Sequence, residues 1–174
     1  MIKSVTDLPF YKDEGSETLA KILALRGQYR TDSLVMAVDD RLQQRPGDLY
    51  NQIEYTIMAT EELERQVNNG GFCAFFENYP ELVSDIVVRL NEIGCDQTSE
   101  IVAKAIAALG PVDLQDAAAI SAAAGNVDFE EIDQEFYSYP VLIDEMLFLY
   151  IERNQTFIRV DPPKKTWFQR LTGK

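Results

Sequence analysis

The residues with the most chemistry to offer are carboxylates. Glu77, Glu81 and Asp85 stand four apart, and so do Glu92, Asp96 and Glu100. Asp128, Glu130, Glu131, Asp133 and Glu135 form a third group, with Asp144 and Glu145 further along. Four residues along a helix rise about 6 Å and stay on one face. That is the scale on which neighbouring charges follow one another along a nucleic-acid strand, so carboxylates in such rows can stand where a basic surface expects phosphates. Pro80 and Gly94 interrupt the first two series, and each reads as a bent row across a helix junction. Singly, each acid has a plainer use. Asp96, Asp113 and Asp128 stand where helix N-caps are wanted, and acids on solvated faces serve solubility.

The collective reading rests on how the charge is distributed. The chain has 174 residues, with 16 Lys and Arg against 29 Asp and Glu, and a net charge of −13. Residues 1–45 hold seven acids and seven bases, whereas residues 46–152 hold 21 acids against only Arg65, Arg89 and Lys104. Residues 153–174 hold six bases and the single acid Asp161. An ordinary helical surface mixes signs and gains i,i+4 pairs; this central block forgoes almost all of them. Crowded like charges destabilise a fold, and a basic partner relieves them, so association is expected to be fast and salt-sensitive. The same charge disfavours direct contact with nucleic acid or an anionic membrane. The expected partner is a basic protein, or one with a basic groove.

Other chemistries find little support. The absence of histidine removes Ser-His-Asp and Cys-His nucleophile systems and imidazole metal ligands. Cys73 and Cys95 are too few for an all-thiolate zinc site and read as small buried hydrophobes. Glu61, Glu62 and Glu64 could in principle pair for glycoside hydrolysis, but such a cluster reads first as a solvated helix face. The run from Asp128 to Glu135 lacks the glycine and spacing of a calcium loop, and no phosphate-loop or dinucleotide fingerprint occurs. The expectation is no enzyme, no cofactor and no metal.

The elements that must position these acids are helical nearly throughout. Ser16 opens a stretch with Leu19, Ile22, Leu23 and Leu25, ending at Gly27; Asp32 or Ser33 caps a run through Leu42. After Pro46-Gly47, Leu49, Ile53, Ile57, Leu63 and Val67 predict a long helix over about 48–68, closed by Asn69-Gly70-Gly71. Phe72, Phe75 and Phe76 suggest a short aromatic helix. Pro80 starts another, ended by Gly94, and Asp96 or Thr98 caps a segment to Leu109. An Ala-rich, tightly packed helix follows Gly110-Pro111, then a short one with Phe129, Ile132 and Phe136, then an apolar one from Val141 to Arg153. The basic tail over 154–174 docks, if it does, through Ile158 and Trp167-Phe168. The expected fold is all-α, a single compact domain over 1–174 of about seven to nine helices. There is no apolar run long enough for a membrane span and no N-terminal signal-like segment; a soluble cytoplasmic protein is expected.

Asn69, Gly70, Gly71, Phe72, Phe75, Phe76 and Asn78 are the most distinctive residues. A tight glycine turn with an aromatic core explains them better than an anion cradle, since no Lys or Arg stands nearby. Together with Glu64, this segment resembles the signature of the bacterial DNA-mimic protein family, built on a domain otherwise of unknown function. The pattern is an acid, then Asn-Gly-Gly-Phe, a variable residue, Gln, Phe-Phe and Asn; this chain departs at Ala74, where Gln is usual. The resemblance implies an all-helical, often dimeric protein that occupies the DNA-binding surface of a transcription factor, for instance one of helix-turn-helix type. A dimer also fits the last helix, where Leu147, Phe148, Leu149, Tyr150 and Ile151 are apolar on more than one face; a core position explains that equally well. The alternatives are an immunity-type inhibitor of a basic toxin or nuclease, and an acidic interaction module without mimicry.

Overall fold

The longest amphipathic pattern in the chain becomes the axis of the molecule. A computed structural model describes residues 7–45 and 50–160. Among them are eight α-helices: α1 (Leu19–Leu23), α2 (Thr31–Gln43), α3 (Gln52–Asn78), α4 (Ile86–Ile93), α5 (Asp96–Ala108), α6 (Ala117–Ala124), α7 (Glu130–Tyr137) and α8 (Ile143–Asn154). Helix α3 contacts α2, α4, α6, α7 and α8. No strand is present among the described residues, only an isolated bridge between Arg26 and Tyr29. The all-α architecture is the one the helical periodicity predicts.

Helix α3 starts where its chemistry dictates. Asn51 Oδ1 accepts from the amides of Ile53 (2.9 Å) and Glu54 (3.0 Å), and Glu54 Oε2 accepts from the Asn51 amide (3.1 Å). This reciprocal box satisfies amides that the first helical turn leaves without partners. Glu54 is fully buried and also accepts from Arg45 Nη1 (2.7 Å), the Arg159 amide (2.9 Å) and Arg159 Nη2 (3.0 Å). It therefore binds the end of α2 and the strand-like segment after α8 to the start of α3. Ile158 and Val160 are buried beside it, so this part of the tail docks. Trp167-Phe168 and the rest of 161–174 lie outside the described residues, as do residues 1–6 and the expected break at Pro46-Gly47.

The predicted helix end at Asn69-Gly70-Gly71 and the short aromatic helix after it appear as two helical stretches of α3 joined across a kink. Gly71 takes φ 70° and ψ −174°, and helical backbone resumes at once. The break frees the Phe72 amide, which donates to Asp133 Oδ1 at 2.8 Å. A Cβ on Gly71 would collide with that same carboxylate, so both the left-handed backbone and the close approach require glycine. Beyond the break, Phe72 stacks near Phe76 (centroids 6.0 Å), Phe129 (6.3 Å) and Phe136 (5.6 Å). The motif builds an aromatic core that pins α7 to α3.

Several boundaries differ from the sequence reading. Thr18, not Ser16, caps α1. Helix α2 begins at Thr31 with Arg30 at the cap, leaving Asp32 and Ser33 inside its first turn. Pro80 opens only a 3-10 turn (Pro80–Leu82), and α4 waits until Ile86. Neither Asp96 nor Thr98 caps α5; Cys95 occupies that position and Thr98 is buried. Helix α6 is capped by Asp116 and is less tightly packed than its alanines suggest, with only Ile120 and Ala124 buried. Gly94 does end α4 in the left-handed conformation (φ 89°). In α8, Leu147, Phe148, Tyr150 and Ile151 are buried within this chain, so the core accounts for its apolar faces.

Candidate functional site

The carboxylates divide into those the fold uses and those it leaves in solvent. In the first series Glu77 and Glu81 are exposed, while Asp85 accepts from Tyr55 Oη (3.2 Å) and Arg89 Nε (3.2 Å). In the second, Glu92 stays at the surface but accepts from Thr56 Oγ1 (3.0 Å), Tyr150 Oη (2.7 Å) and Arg89 Nη1 (3.1 Å). Burial and the Glu92 hydrogen bond push the Tyr150 phenol up to about 12, so it remains a donor. In the third, Asp128 accepts from the Glu130 amide (3.1 Å), Glu130 accepts from Gln134 Nε2 (3.2 Å), and Asp133 is spent on Phe72. Asp144 faces a cavity described below, and Glu145 binds Arg26 (3.0 Å) and the Thr31 hydroxyl.

Three of the acids left in solvent stand on α5 and α7, which pack against each other. Asp96 and Glu100 stand one turn apart on α5, and Glu131 stands on α7; all three are exposed, with no hydrogen bond or ion pair. Lys104, the next turn of α5, donates to Glu135, the next turn of α7, at 2.6 Å. That bridge puts the two acidic faces on one side of the molecule and engages the cation that stands among them. Neither helix is a continuous row; the two predicted groups are linked at the Lys104–Glu135 bridge.

A second acidic feature lies in the interior. Asp32 and Met36 on α2, Glu61, Glu64, Arg65 and Asn68 on α3, Tyr139, and Asp144 on the first turn of α8 line a half-open cavity of about 270 Å³. This corrects the reading of Glu61, Glu62 and Glu64 as a solvated face. Glu62 is 3% exposed and accepts from Arg65 Nη1 (2.5 Å) and Gln66 Nε2 (2.7 Å). Glu61 and Glu64 point into the cavity because α2 and α8 close over their side of α3. Arg65 offsets Glu61 only in part, since its hydrogen bonds go to Glu62 and to the fully buried Asp39 (2.8 Å).

The cavity is correspondingly hard on its carboxylates. Burial, reinforced by Asp39 and Glu64, holds Glu61 well above the usual carboxylate range. Burial pushes Glu64 up to about 7, although a hydrogen bond from Tyr139 Oη (2.9 Å) partly opposes it. Burial likewise raises Asp144, and takes Asp39 to about 6 against the pull of Arg65. Tyr139 accepts from Asn68 Nδ2 (2.6 Å) and has positive φ (47°), the one such non-glycine among the described residues. Its phenol is pushed to about 12 by burial and Glu64, so it donates throughout the neutral range. No group of acidic or sulfur side chains among the described residues converges closely enough to hold a metal ion.

Sequence reasoning missed this site. Glu61, Arg65 and Asn68 share one face of α3 by spacing alone, a visible signal, but Asp32 and Asp144 join them only through tertiary packing. Among the described residues no helix is long and apolar enough to cross a membrane. A family model described as DMP19-like protein matches residues 48–154, the span that contains α3 through α8. No curated protein and no solved structure matches the chain.

Proposed function

The chain belongs to the DMP19-like protein family, and from that premise we propose that it is a DNA mimic. Its exposed carboxylates occupy the DNA-reading surface of a transcription factor, or of another basic DNA-binding protein, and so block access to DNA and alter transcription. It acts by occupancy, not catalysis. The observation that carries the reading is on the packed helices α5 and α7, where the Asp96, Glu100 and Glu131 side chains are exposed and unpaired and Lys104 bridges to Glu135. Unpaired acids on rigid helices keep their hydration and counterions until a cationic surface replaces them, and fixed spacing selects partners built to meet a regular array of charge. Glu81 adds a further unpaired acid on the 3-10 turn after α3.

The test is displacement. Candidate helix-turn-helix proteins bound to their operators are challenged with this chain in a gel-shift competition at low and high salt. The reading expects DNA to be released at low salt and retained at high salt. The double variant Glu100→Lys, Glu131→Lys should fold normally and compete about tenfold or more less well. If no DNA-binding protein is displaced at low salt, or the double reversal competes as well as the parent, the reading is wrong.

A further inference from the structure

We propose that the groove across the outer face of α1 is a docking site for the chain's own basic tail, with the Trp167 ring as its main occupant. None of the groove's residues lies on α5 or α7, so this site goes beyond the proposed DNA mimicry and the two can fail independently.

The first ground is the groove itself. Tyr11, Glu17, Ala24, Leu25, Gln28 and Tyr29 line an open space of about 500 Å³ between the segment before α1, α1 itself and the turn into α2. Tyr11 and Tyr29 meet edge to face, with ring centroids 5.4 Å apart. Tyr11 is buried, whereas Leu25 and Tyr29 pack on the core with part of their surface in solvent. Aromatic rings favour edge-on and offset contacts with one another, and this corner leaves a face for a third ring. Gln28 Nε2 donates to the Ala24 carbonyl (3.3 Å), which leaves the amide oxygen to accept from an indole N–H.

The second ground is the path of the chain. Ile158 and Val160 are buried while Arg159 between them is exposed, the alternation of an extended segment laid on a surface. The Val160 carbonyl accepts from Arg41 Nη1 at 3.5 Å, and the same nitrogen donates to the Glu17 carbonyl. Two carbonyls within reach of one nitrogen stand side by side. Residue 161 therefore starts at the Glu17 end of the groove, in continuation of a segment that is already docked.

The third ground is reach and chemistry. Trp167 is seven residues beyond Val160, a span of at most roughly 25 Å. Helix α1 has five residues and is only about 7.5 Å long, so a groove that begins at Glu17 is within reach. Pro162-Pro163 restricts the paths open to the chain and lowers the entropic cost of docking. Lys164 and Lys165 precede the Trp167-Phe168 pair, and the Glu17 carboxylate, paired with exposed Lys21 at 2.9 Å, supplies the opposite charge at the entrance. Docked there, the tail's bases stand beside the charge-balanced N-terminal region and do not compete with a partner for the acids of α5 and α7.

Trp167 is the single tryptophan of the chain, so its fluorescence reads the site in the intact protein. The emission expected of the native protein is blue-shifted from that in urea, less open to acrylamide quenching, and independent of protein concentration. NMR of the same protein should show contacts between the Trp167 indole and the Tyr29 ring. The double variant Ala24→Lys, Gln28→Lys fills the groove and repels the tail from two exposed positions. It should move the emission to the urea value while circular dichroism keeps the helix content. Ala122→Lys, at an exposed position of α6, should leave the emission unchanged. Native emission equal to that in urea, or no Trp167–Tyr29 contact, overturns the assignment. So does a blue shift that survives the double variant, which places the ring elsewhere, or one that grows with concentration, which seats the tail on a second copy.

Discussion

Glu64→Gln should stabilise the protein, and only above acid pH. The Glu64 carboxyl has an ordinary value of 4.5 and is pushed to about 7 in the fold, chiefly by burial. Below about pH 4 it is protonated in both states and the substitution removes no charge. Between 4.5 and 7 the unfolded chain ionises it while the folded chain does not, and stability falls as pH rises; above 7 the whole cost is present. At about 1.4 kcal/mol for each tenfold difference, that cost is close to 1 kcal/mol near pH 5 and about 3 kcal/mol near pH 8. Glutamine keeps an oxygen to accept from Tyr139 Oη, so the hydrogen bond at 2.9 Å survives. Water at the cavity mouth screens part of the charge, so the observed gain should fall between about 1 and 3 kcal/mol at pH 8. Urea denaturation of both proteins near pH 5 and pH 8 measures the difference. A chain of this length should also melt roughly 3–10 °C higher at the upper pH. A gain that is the same at both pH values, or a loss at pH 8, would refute the placement of Glu64 in a desolvated cavity.

Three further outcomes follow from other residues. Glu54→Gln should cost about 3–5 kcal/mol at neutral pH in the same urea assay, because it strands Arg45 and Arg159 beside a buried amide. Its sign is opposite to that of Glu64: although burial alone would raise it, the bonds from Arg159, Arg45 and the Asn51 amide lower its pKa to about 2, so the stability it contributes is present above 4.5 and lost as pH falls toward 2. Gly71→Ala should cost more than about 2 kcal/mol, from the left-handed backbone and the collision with Asp133; Gly110→Ala, with φ 78° but nothing within 4 Å of an added Cβ, should cost only about 1 kcal/mol by thermal or urea unfolding. In native protein near pH 8, Cys95 should resist a thiol reagent, since it is fully buried and burial pushes its thiol to about 12, and it should react once denaturant is added; rapid reaction in the native state would refute its burial.

Helical spacing was enough to read the fold class, because apolar residues such as Ile57, Leu63 and Val67 recur on one face of α3 whatever packs there. Gly71 and Gly94 were legible as breaks for a similar local reason, left-handed backbone being cheapest at glycine. The helix on either side of Gly71 was legible, but what holds the kink was not, since the group that receives the freed Phe72 amide is Asp133, far along the chain on α7. Asp133 had looked like one more carboxylate for a partner. Glu92 misled in the same way: its row with Asp96 and Glu100 is real in sequence, but Thr56, Tyr150 and Arg89 already engage its carboxylate. Patterns within one helix show which side chains share a face. They carry no information about which neighbouring helix will cover it, and the Glu61–Glu64 face was misread on that account.

The excess of acids is therefore not one physical property. Glu54 is an acid that the fold needs ionised, held by two guanidinium groups and two amides. Glu61 and Glu64 are acids that the fold would rather keep protonated, and they weaken it at neutral pH. Asp96, Glu100 and Glu131 are in solvent and repel one another only through water. Added salt screens this last class strongly, because exposed charges interact over a Debye length of roughly 8–10 Å near physiological ionic strength. It reaches the enclosed pair much less. Screening should thus stabilise the free protein while weakening any complex made through α5 and α7, and should leave most of the Glu64→Gln gain in place. The two acidic features share a sign of charge, but salt reaches them differently, so the salt dependence of stability and of complex formation separates them.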